Sequence, residues 1–392
     1  MRIAINTLAV TAERGGILTY LVDLLDSLTS LEGDHELTLI TAPLNQELFR
    51  RFEASPRVSF RSVGLTRDSR LRRIWIEQTA FPRILSECGA DVLLSPVNVA
   101  CFSAPCPQVV VVHEAMWSLI PDQLPRFKRM WLSWAVPKSL RVATRVVTVS
   151  GAVRDHLVGL GLVEAGRADV VWNGVRRAGL FELPPPAEVL DRIGGGYYLF
   201  VGDLYPYKGV TRILDAMDLL RRNLGLDRDL VVVGRDIWGR GNEIAERARE
   251  LGLDRRVHFL GPVEHGALGW LYERAFCLVL PADVEGFGLP PIEAMACGTP
   301  VVVSNRPALP EVVGDAAIQV DVRKPGELVW ALRRFEEPSV RAAYVHRGNE
   351  RAARFDWDTA AAGTLAACRS AAGLAPLETP ARRLRERATT PR

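Results

Sequence analysis

Short runs rich in Val, Ile and Leu alternate along this 392-residue chain with longer segments of amphipathic pattern. Such alternation is produced by β-strand–helix–β-strand units, so it predicts parallel sheets with helices packed on both faces. In the first half, strands are expected at Arg2–Leu8, Glu36–Thr41, Val58–Ser62, Asp91–Ser95, Gln108–His113, Arg145–Val149 and Ala168–Trp172. In the second half, they are expected at Tyr197–Val201, Leu230–Gly234, Val257–Leu260, Cys277–Leu280, Val301–Ser304 and Ala317–Val320. Helices are expected between most strands, for example at Thr19–Ser30, Arg70–Cys88 and Leu124–Leu140.

The alternation is interrupted once, by Leu183-Pro184-Pro185-Pro186 and Gly194-Gly195-Gly196. Prolines and glycines cluster in linkers, and a chain of this length exceeds what one hydrophobic core usually supports. The sequence therefore predicts an α/β fold with two doubly wound Rossmann-like domains, 1–178 and 179–355, that face a central cleft. The chain should be helical from about 339 to 372, and the Pro- and Arg-rich residues 375–392 should form a flexible tail.

Composition excludes several classes of protein. The formal net charge is only +3, from 49 Lys and Arg against 46 Asp and Glu, which argues against nucleic-acid binding. No apolar run reaches the roughly 18 residues that span a bilayer, and the N-terminus lacks a signal-peptide pattern. The six cysteines and six histidines are scattered, without disulfide-like or metal-like spacing. We expect a cytoplasmic protein with reduced thiols, no metal site and no cofactor.

The strongest motif lies in residues 281–302, directly after an apolar strand. Gly286 and Gly288 bracket one bulky residue, so backbone N–H groups there can point at a ligand. Glu285 lies in this loop, and Glu293 lies near the start of the helix that follows. Each carboxylate can accept two hydrogen bonds from hydroxyl groups, so the pair suits a polyol such as a sugar or a ribose. The alternative is a solvated glutamate beside one that interacts with the helix dipole.

Three further features follow strands of the predicted sheets. Lys208 stands at the mouth of a helix, where a point charge suits a diphosphate. Gly15-Gly16 lets the backbone approach a ligand, and its spacing is not that of a nicotinamide-cofactor motif. His113-Glu114 ends a strand where a sugar hydroxyl could reach the imidazole. Their plainer interpretations are a solvated lysine, an ordinary glycine turn and a structural histidine.

Together these segments resemble the family-4 retaining glycosyltransferases, which have the GT-B fold and a Glu-x7-Glu signature that Glu285 and Glu293 match. The resemblance covers nearly the whole chain. It implies that Glu285 contacts the donor sugar and Glu293 the nucleotide ribose. It also implies that the backbone between them meets the sugar, at Gly286, Phe287, Gly288 and Leu289.

The same resemblance implies roles for the other strand-end features. The loop of Gly15 and Gly16 approaches the donor phosphates and the acceptor, Lys208 binds the diphosphate, and His113 lies by the donor sugar. It also implies that a helix at 356–374 packs back onto the first domain. Asp356-Trp357-Asp358 resembles a metal-binding Asp-x-Asp, but we interpret Trp357 as the anchor of this helix.

The chain departs from the family in its diphosphate clamp. The family has an arginine either directly after Gly202 or directly before Lys208, and here those positions hold Asp203 and Tyr207. A carboxylate near a diphosphate is unfavourable, so Asp203 is expected to turn away or to pair with a neighbour such as Arg212. Arg235, at the end of another strand, is our candidate for the missing cation.

Two basic stretches, 57–83 and 126–145, suggest a further contact. The second also carries Trp131 and Trp134, spaced as neighbours on one helical face. Basic helices with aromatic residues suit a membrane surface or a lipid-diphosphate acceptor. The alternative is a solvated amphipathic helix with its tryptophans in the core.

We therefore expect a retaining, metal-independent hexosyltransferase in which Glu285 and His113 are catalytic. Its donor would be a nucleotide-diphosphate sugar, with GDP-mannose expected in preference to UDP- or dTDP-sugars. Its acceptor would be a glycan or lipid-linked saccharide in bacterial polysaccharide synthesis, with peripheral contact to the inner face of the membrane. The alternatives are transfer from a UDP- or dTDP-sugar to a small-molecule acceptor, a nucleotide-sugar epimerase and an inactive sugar-nucleotide-binding subunit.

Overall fold

Two parallel β-sheets organise the chain in the computed structural model, which describes residues 1–10, 15–184, 191, 193, 196–236, 239 and 241–375. The first sheet contains β1 Arg2–Asn6, β2 Glu36–Thr41, β3 Val58–Ser62, β4 Val92–Ser95, β5 Gln108–Val112, β6 Arg145–Thr148 and β7 Ala168–Val170. The second contains β8 Tyr197–Val201, β9 Leu230–Val233, β10 Val257–Gly261, β11 Ala275–Leu280, β12 Val301–Ser304 and β13 Ile318–Val320. Parts of the expected linker and most of the expected tail, namely 185–190, 194, 195 and 376–392, lie outside the described residues.

The strand orders are β3-β2-β1-β4-β5-β6-β7 and β10-β9-β8-β11-β12-β13. Each sheet therefore reverses its order beside its first strand, as in doubly wound folds. At such a reversal the helices that follow neighbouring strands lie on opposite faces, which opens a crevice at the carboxyl ends of the strands. The prediction of two doubly wound units is confirmed, while the boundaries at 178 and 355 stay a proposal.

Helices cover both sheets. In the first half they are α1 Gly16–Ser30, α2 Arg70–Thr79, α3 Phe81–Glu87, α4 Met116–Leu119, α5 Arg126–Val142 and α6 Gly151–Gly159. In the second half they are α7 Val210–Leu224, α8 Gly241–Glu250, α9 Leu268–Arg274, α10 Leu289–Ala296, α11 Leu309–Val313, α12 Pro325–Arg334, α13 Pro338–Ala352 and α14 Trp357–Ala371.

Two segments expected as single helices are each divided. The first breaks at Ala80, because Pro82 has no N–H to continue the α2 ladder and is instead tolerated in the first turn of α3. The second breaks after Ala352. There the Asp356 side chain accepts a hydrogen bond from the backbone N–H of Thr359 at 2.9 Å and begins α14 as its N-cap.

The last helix returns to the first sheet. Trp357 is buried, with its ring centroid 5.7 Å from that of Tyr20 on α1. Ala361, Leu365 and Cys368 of α14 join the same hydrophobic core as the β1 and β4 side chains. The interpretation of Trp357 as an anchor is consistent with this packing, and the expected return of the C-terminal helix is confirmed.

Candidate functional site

The carboxyl ends of both sheets face one cleft, and the candidate residues converge there. Lys208 and Glu285 form an ion pair across the loops that follow β8 and β11. Their side chains are only 15% and 12% exposed, so the pair is largely shielded from water and weakly screened. Gly209, at φ 74°, closes the turn that presents Lys208. The two residues expected to meet the diphosphate and the donor sugar are therefore held against each other.

Glu293 lies in a second, more deeply buried group. The Tyr272 hydroxyl donates to its Oε2 at 2.7 Å, and His265 Nε2 lies 3.1 Å from its Oε1. Burial opposes the charged imidazolium, but the hydrogen bond and charge of Glu293 outweigh it and raise the pKa of His265. A buried carboxylate with two donors is held in one orientation, as a ribose-binding group requires.

Asp203 pairs with Arg235, and not with Arg212 as the sequence suggested. Arg235 Nη2 donates to Asp203 Oδ2 at 2.8 Å, and its Nε donates to Oδ1 at 3.1 Å. Arg212 instead contacts both carboxylate oxygens of Asp283, at 2.9 and 3.1 Å. Asp203 and Arg235 lie at the ends of adjacent strands, and this juxtaposition depends on strand order rather than on sequence distance.

Arg235 also reaches the first domain. A methyl group placed on Gly15 would lie 3.3 Å from Arg235 Nη2, whereas one on Gly16 would meet nothing within 4 Å. The glycine loop, the guanidinium and the carboxylate of Asp203 are thus adjacent in the cleft. The structure brings the expected cation to the expected loop, with a carboxylate already bound to it.

His113 is held as a neutral imidazole. Its Nε2 donates to the Pro96 carbonyl at 2.8 Å, and its ring lies edge-on to Tyr20 with centroids 4.6 Å apart. Burial lowers its pKa to about 4, with the Pro96 contact opposing the shift. Because Nε2 carries the proton, Nδ1 has a lone pair and can accept a hydrogen bond from a hydroxyl. Near pH 7 His113 is therefore not a general acid.

The loop of Gly286 touches the first domain directly. Ser150 Oγ donates to the Gly286 carbonyl at 2.7 Å. A methyl group at residue 286 would lie 1.6 Å from the carbonyl oxygen of His113, so only glycine fits here. Gly288, at φ 95°, and Leu289 follow as the N-cap and first residue of α10.

Phe287 differs from its neighbours in the loop. Its side chain is buried, with the ring 5.7 Å from that of Phe355 in an edge-on arrangement. The side chain therefore packs in the core, and only its backbone is free to serve a ligand.

Sequence reasoning missed several residues of this cleft. Glu114, next to His113, places a carboxyl close enough to Lys208 and Glu285 for their charges to act on it, and burial raises its pKa. The sequence singled out this strand end for His113 and gave Glu114 no role. His265 and Tyr272 gave no such signal, because their link to Glu293 is formed only by the fold.

A fourth missed residue, Glu311, also joins the two halves. Its carboxylate accepts hydrogen bonds from the N–H groups of Gly151 and Ala152, at 2.8 and 3.0 Å, at the start of α6. It also accepts from Trp172 Nε1 at 2.7 Å. These bonds hold the cleft in the arrangement described here.

The basic face of the first half is apolar as well as charged. Leu71 and Trp75 on α2 and Met130 and Trp134 on α5 are each more than half exposed. The rings of Trp131 and Trp134 lie 5.4 Å apart, which confirms their common face, but Trp134 is not in the core. Among the described residues, no helix is both long and apolar enough to cross a membrane.

Two family profiles match the chain, one on each half. The profile described as Glycosyltransferase Family 4 matches residues 14–178, and that described as Glycosyl transferases group 1 matches residues 193–352. Together they cover most of the sequence. With the paired parallel sheets and the facing strand ends, these matches define the class: the chain is a family-4 glycosyltransferase of the GT-B type.

Named relatives agree with this class. The chain is 30% identical over 266 residues to the O-antigen chain mannosyltransferase B of Escherichia coli, covering 66% of this chain and 68% of that protein. It is 33% identical over 241 residues to a D-inositol 3-phosphate glycosyltransferase of Acidothermus cellulolyticus, covering 58% and 54%. The crystal structure of Anabaena HepE in complex with UDP and glucose has a similar fold. Its TM-score is 0.71 at 18% identity, over 93% of this chain and 98% of that one.

Proposed function

We propose that this chain is a retaining, metal-independent hexosyltransferase that uses a nucleoside-diphosphate hexose, GDP-mannose being the preferred donor. The acceptor is a glycan or lipid-linked saccharide of bacterial polysaccharide synthesis. The second domain binds the donor, the first binds the acceptor, and transfer occurs in the closed cleft. The likeness to a mannosyltransferase supports the choice of mannose, while the UDP complex of the fold neighbour makes UDP-glucose the alternative to test.

The observation that carries this proposal is the pair of glutamates in two different settings. Glu285 is paired with a cation in the cleft, and Glu293 is buried and accepts hydrogen bonds from two donors. A nucleotide sugar presents a charged diphosphate, a hexose and a ribose in that neighbourhood. Lys208 then meets the diphosphate, Glu285 the hexose hydroxyls and Glu293 the ribose.

The chemistry follows from these positions. Departure of the diphosphate puts negative charge on its oxygen, which Lys208 and, after release from Asp203, Arg235 stabilise. The acceptor hydroxyl attacks the anomeric carbon from the same face and passes its proton to the departing phosphate. His113, neutral and fixed by Pro96, accepts a hydroxyl hydrogen bond and orients the sugar.

A donor panel tests the proposal. Thermal unfolding is measured with GDP-mannose, UDP-glucose, UDP-N-acetylglucosamine and a dTDP-sugar, since a cognate ligand raises the unfolding temperature by mass action. Release of nucleoside diphosphate is then measured with and without a synthetic lipid-linked saccharide. Acceptor-dependent release with an α-linked mannosyl product from GDP-α-mannose supports retention.

Other outcomes identify the alternatives. A β-linked product would contradict retention, and a changed free sugar without acceptor would indicate an epimerase. Stabilisation by a donor without any turnover would indicate an inactive binding subunit. Loss of activity in EDTA that Mn²⁺ restores would contradict metal independence.

We also propose that the basic, apolar face of the first domain rests on the membrane that holds the acceptor. Exposed Trp75 and Trp134, flanked by arginines, suit the headgroup region of an anionic bilayer. Flotation with phosphatidylglycerol vesicles at low salt should carry the protein upward, and Trp75→Ser with Trp134→Ser should reduce this. Trp330→Ser, on the exposed side of α12, is the control. Protein that stays at the bottom would contradict the proposal.

A further inference from the structure

Two cations of the first domain converge on one tyrosine of the second. Lys128 Nζ, in the first turn of α5, lies 5.9 Å from the ring centroid of Tyr205. Arg70, the first residue of α2, is near enough for its charge to act on both Lys128 and Tyr205. The first turns of α2 and α5 therefore bring both charges to the same region of the cleft mouth as the loop after β8.

Neither Lys128 nor Arg70 forms an ion pair with any residue that the structure describes, although the charge of Glu114 acts on Lys128. Arg72, Arg126 and Arg141 of these helices also form no ion pair with a described residue, whereas two other arginines do. Arg73 pairs with Glu77, and Arg129 pairs with Asp122 at 2.8 Å. Two neighbouring like charges that are not held in ion pairs repel each other, and a bound anion would relieve this.

The local electrostatics agree with the geometry. Burial is the largest cause that lowers the pKa of Lys128, Glu114 opposes the shift, and Arg70 adds to it. The Glu114 charge therefore does not compensate for the surroundings of this lysine. A phosphate group at the same place would favour the ammonium form.

The position of these cations relative to the donor site indicates which substrate they would bind. The Glu114 carboxyl is within reach of the charges of both Lys128 and Lys208. The cations therefore lie near the Lys208–Glu285 pair, on the side of the first domain. Beside them, the Tyr205 ring is stacked on the buried Tyr207 ring, with centroids 5.2 Å apart, so Tyr205 is the one of the two that can line a site here.

We propose that Lys128 and Arg70 bind a phosphate group carried by the acceptor, with Tyr205 as the wall of this subsite. The inference rests on the proposed function, because it assigns the site to the second substrate of that transfer. The shared chemistry is a phosphate ester, whether on a sugar or in the diphosphate of a lipid carrier. Glu114 accepts the hydrogen bond of an acceptor hydroxyl between the subsite and the donor.

The chain offers an unusually clean probe, because it contains only four lysines: Lys128, Lys138, Lys208 and Lys324. Reductive methylation with ¹³C-formaldehyde keeps their charge and gives four lysine signals and one from the N-terminal amine. Each lysine signal is assigned by replacing that lysine with arginine. One spectrum then reports on the acceptor side through Lys128 and on the donor side through Lys208.

Inorganic pyrophosphate is the first ligand, added after GDP or UDP, whichever moves the Lys208 signal, has filled the donor site. We expect pyrophosphate to shift the Lys128 signal saturably and to raise its titration midpoint. Arg70→Ala should weaken this response at least fivefold, and Lys138→Ala, on the same helix, should leave it within twofold. Sodium chloride at equal ionic strength should not reproduce the shift.

The outcomes separate the two proposals. If no nucleotide shifts the Lys208 signal, the donor assignment fails. The subsite is then tested without nucleotide, by comparing the effect of pyrophosphate on the Lys128 signal in the unchanged protein and in Arg70→Ala. If the Lys128 signal does not move, or moves equally in Arg70→Ala, the subsite is wrong whatever Lys208 does. With the site supported, mannose 1-phosphate and farnesyl diphosphate compete for it, and the tighter ligand tells whether the phosphate is on a sugar or a lipid.

Discussion

The two faces of the cleft differ in how their charges are balanced. On the second domain, Lys208 pairs with Glu285, Arg235 with Asp203 and Arg212 with Asp283. On the first domain, Asp23, Arg70, Glu114 and Lys128 form no side-chain hydrogen bond or ion pair with any described residue. The charges of one face are joined in ion pairs, whereas the two acids and two bases of the other face are not.

This difference has a direct consequence for binding. On the second domain a ligand must displace a carboxylate from each cation, so the net gain is the difference between two similar interactions. On the first domain a ligand supplies a partner that is missing, so the gain is not offset by an exchange. We infer that the donor replaces carboxylates that already pair with the cations of the second domain, whereas the acceptor supplies ion-pair partners that the first domain lacks.

The largest effect should come from Glu285→Ala. If the pairs on the second domain serve the reaction, removing this carboxylate should lower kcat/KM by about 10²–10³-fold, as for other groups that act on the transition state. Nucleotide release at saturating acceptor measures it. Glu47→Ala, a highly exposed position, is the control. Turnover near that of the unchanged protein would mean that the pair is only structural.

Gly286→Ala should come next, with turnover reduced about 10- to 100-fold. The added methyl group would collide with the His113 carbonyl oxygen, so the two faces could not approach as described. Gly326→Ala is a matched control, because a methyl group there meets nothing within 4 Å. If both variants behave alike in turnover and in thermal unfolding, contact between the faces at residue 286 is not needed.

Asp23→Asn tests the unbalanced face through stability. Burial raises the pKa of Asp23 to about 6, with the charges of His265 and Arg176 opposing the shift. Its ionised form is therefore disfavoured in the fold, and stability is lost as the pH rises from about 4 to about 6. At pH 7.5 the variant should be more stable by about 1–3 kcal/mol. Urea unfolding at pH 7.5 and pH 4 measures this, and the gain should vanish at the lower pH.

Some parts of the structure could be predicted from the sequence better than others, for physical reasons. Strands such as Glu36–Thr41 and Tyr197–Val201 were located to the residue, because buried parallel strands need continuous apolar runs. The separation of Glu285 from Glu293 is set within one loop and helix, so the sequence alone placed them near one strand end. Local chemistry was sufficient in both cases.

Pairs of residues that only the fold brings together could not be predicted from the sequence. Asp203 could have paired with any arginine nearby, and the strand order brought Arg235 to it rather than Arg212. Likewise, nothing in the sequence joins His265 to Glu293, or Arg70 to Lys128. The members of each of these pairs are 28 or more positions apart in the sequence, and only strand order and helix packing bring them near each other.

The smallest effect should come from the Asp203–Arg235 pair. Asp203→Asn removes the competing carboxylate and should tighten binding of the nucleoside diphosphate about 3- to 10-fold, less than one hydrogen bond to a charged group. Arg235→Ala should weaken it by a similar factor. Calorimetric titration measures both, with Arg222→Ala on the exposed side of α7 as control. Equal affinity in all three variants would exclude Arg235 from the diphosphate site.

The return of α14 makes the second domain an insertion within the first. The chain leaves the first sheet near Val175 and re-enters it near Phe355, and the Val175 N–H donates to the Phe355 carbonyl at 3.1 Å. Because the two crossings are adjacent and hydrogen-bonded, we expect the second domain to rotate about them more readily than it slides. The second domain could therefore be exchanged between relatives, provided that both junctions are placed at this pair of crossings.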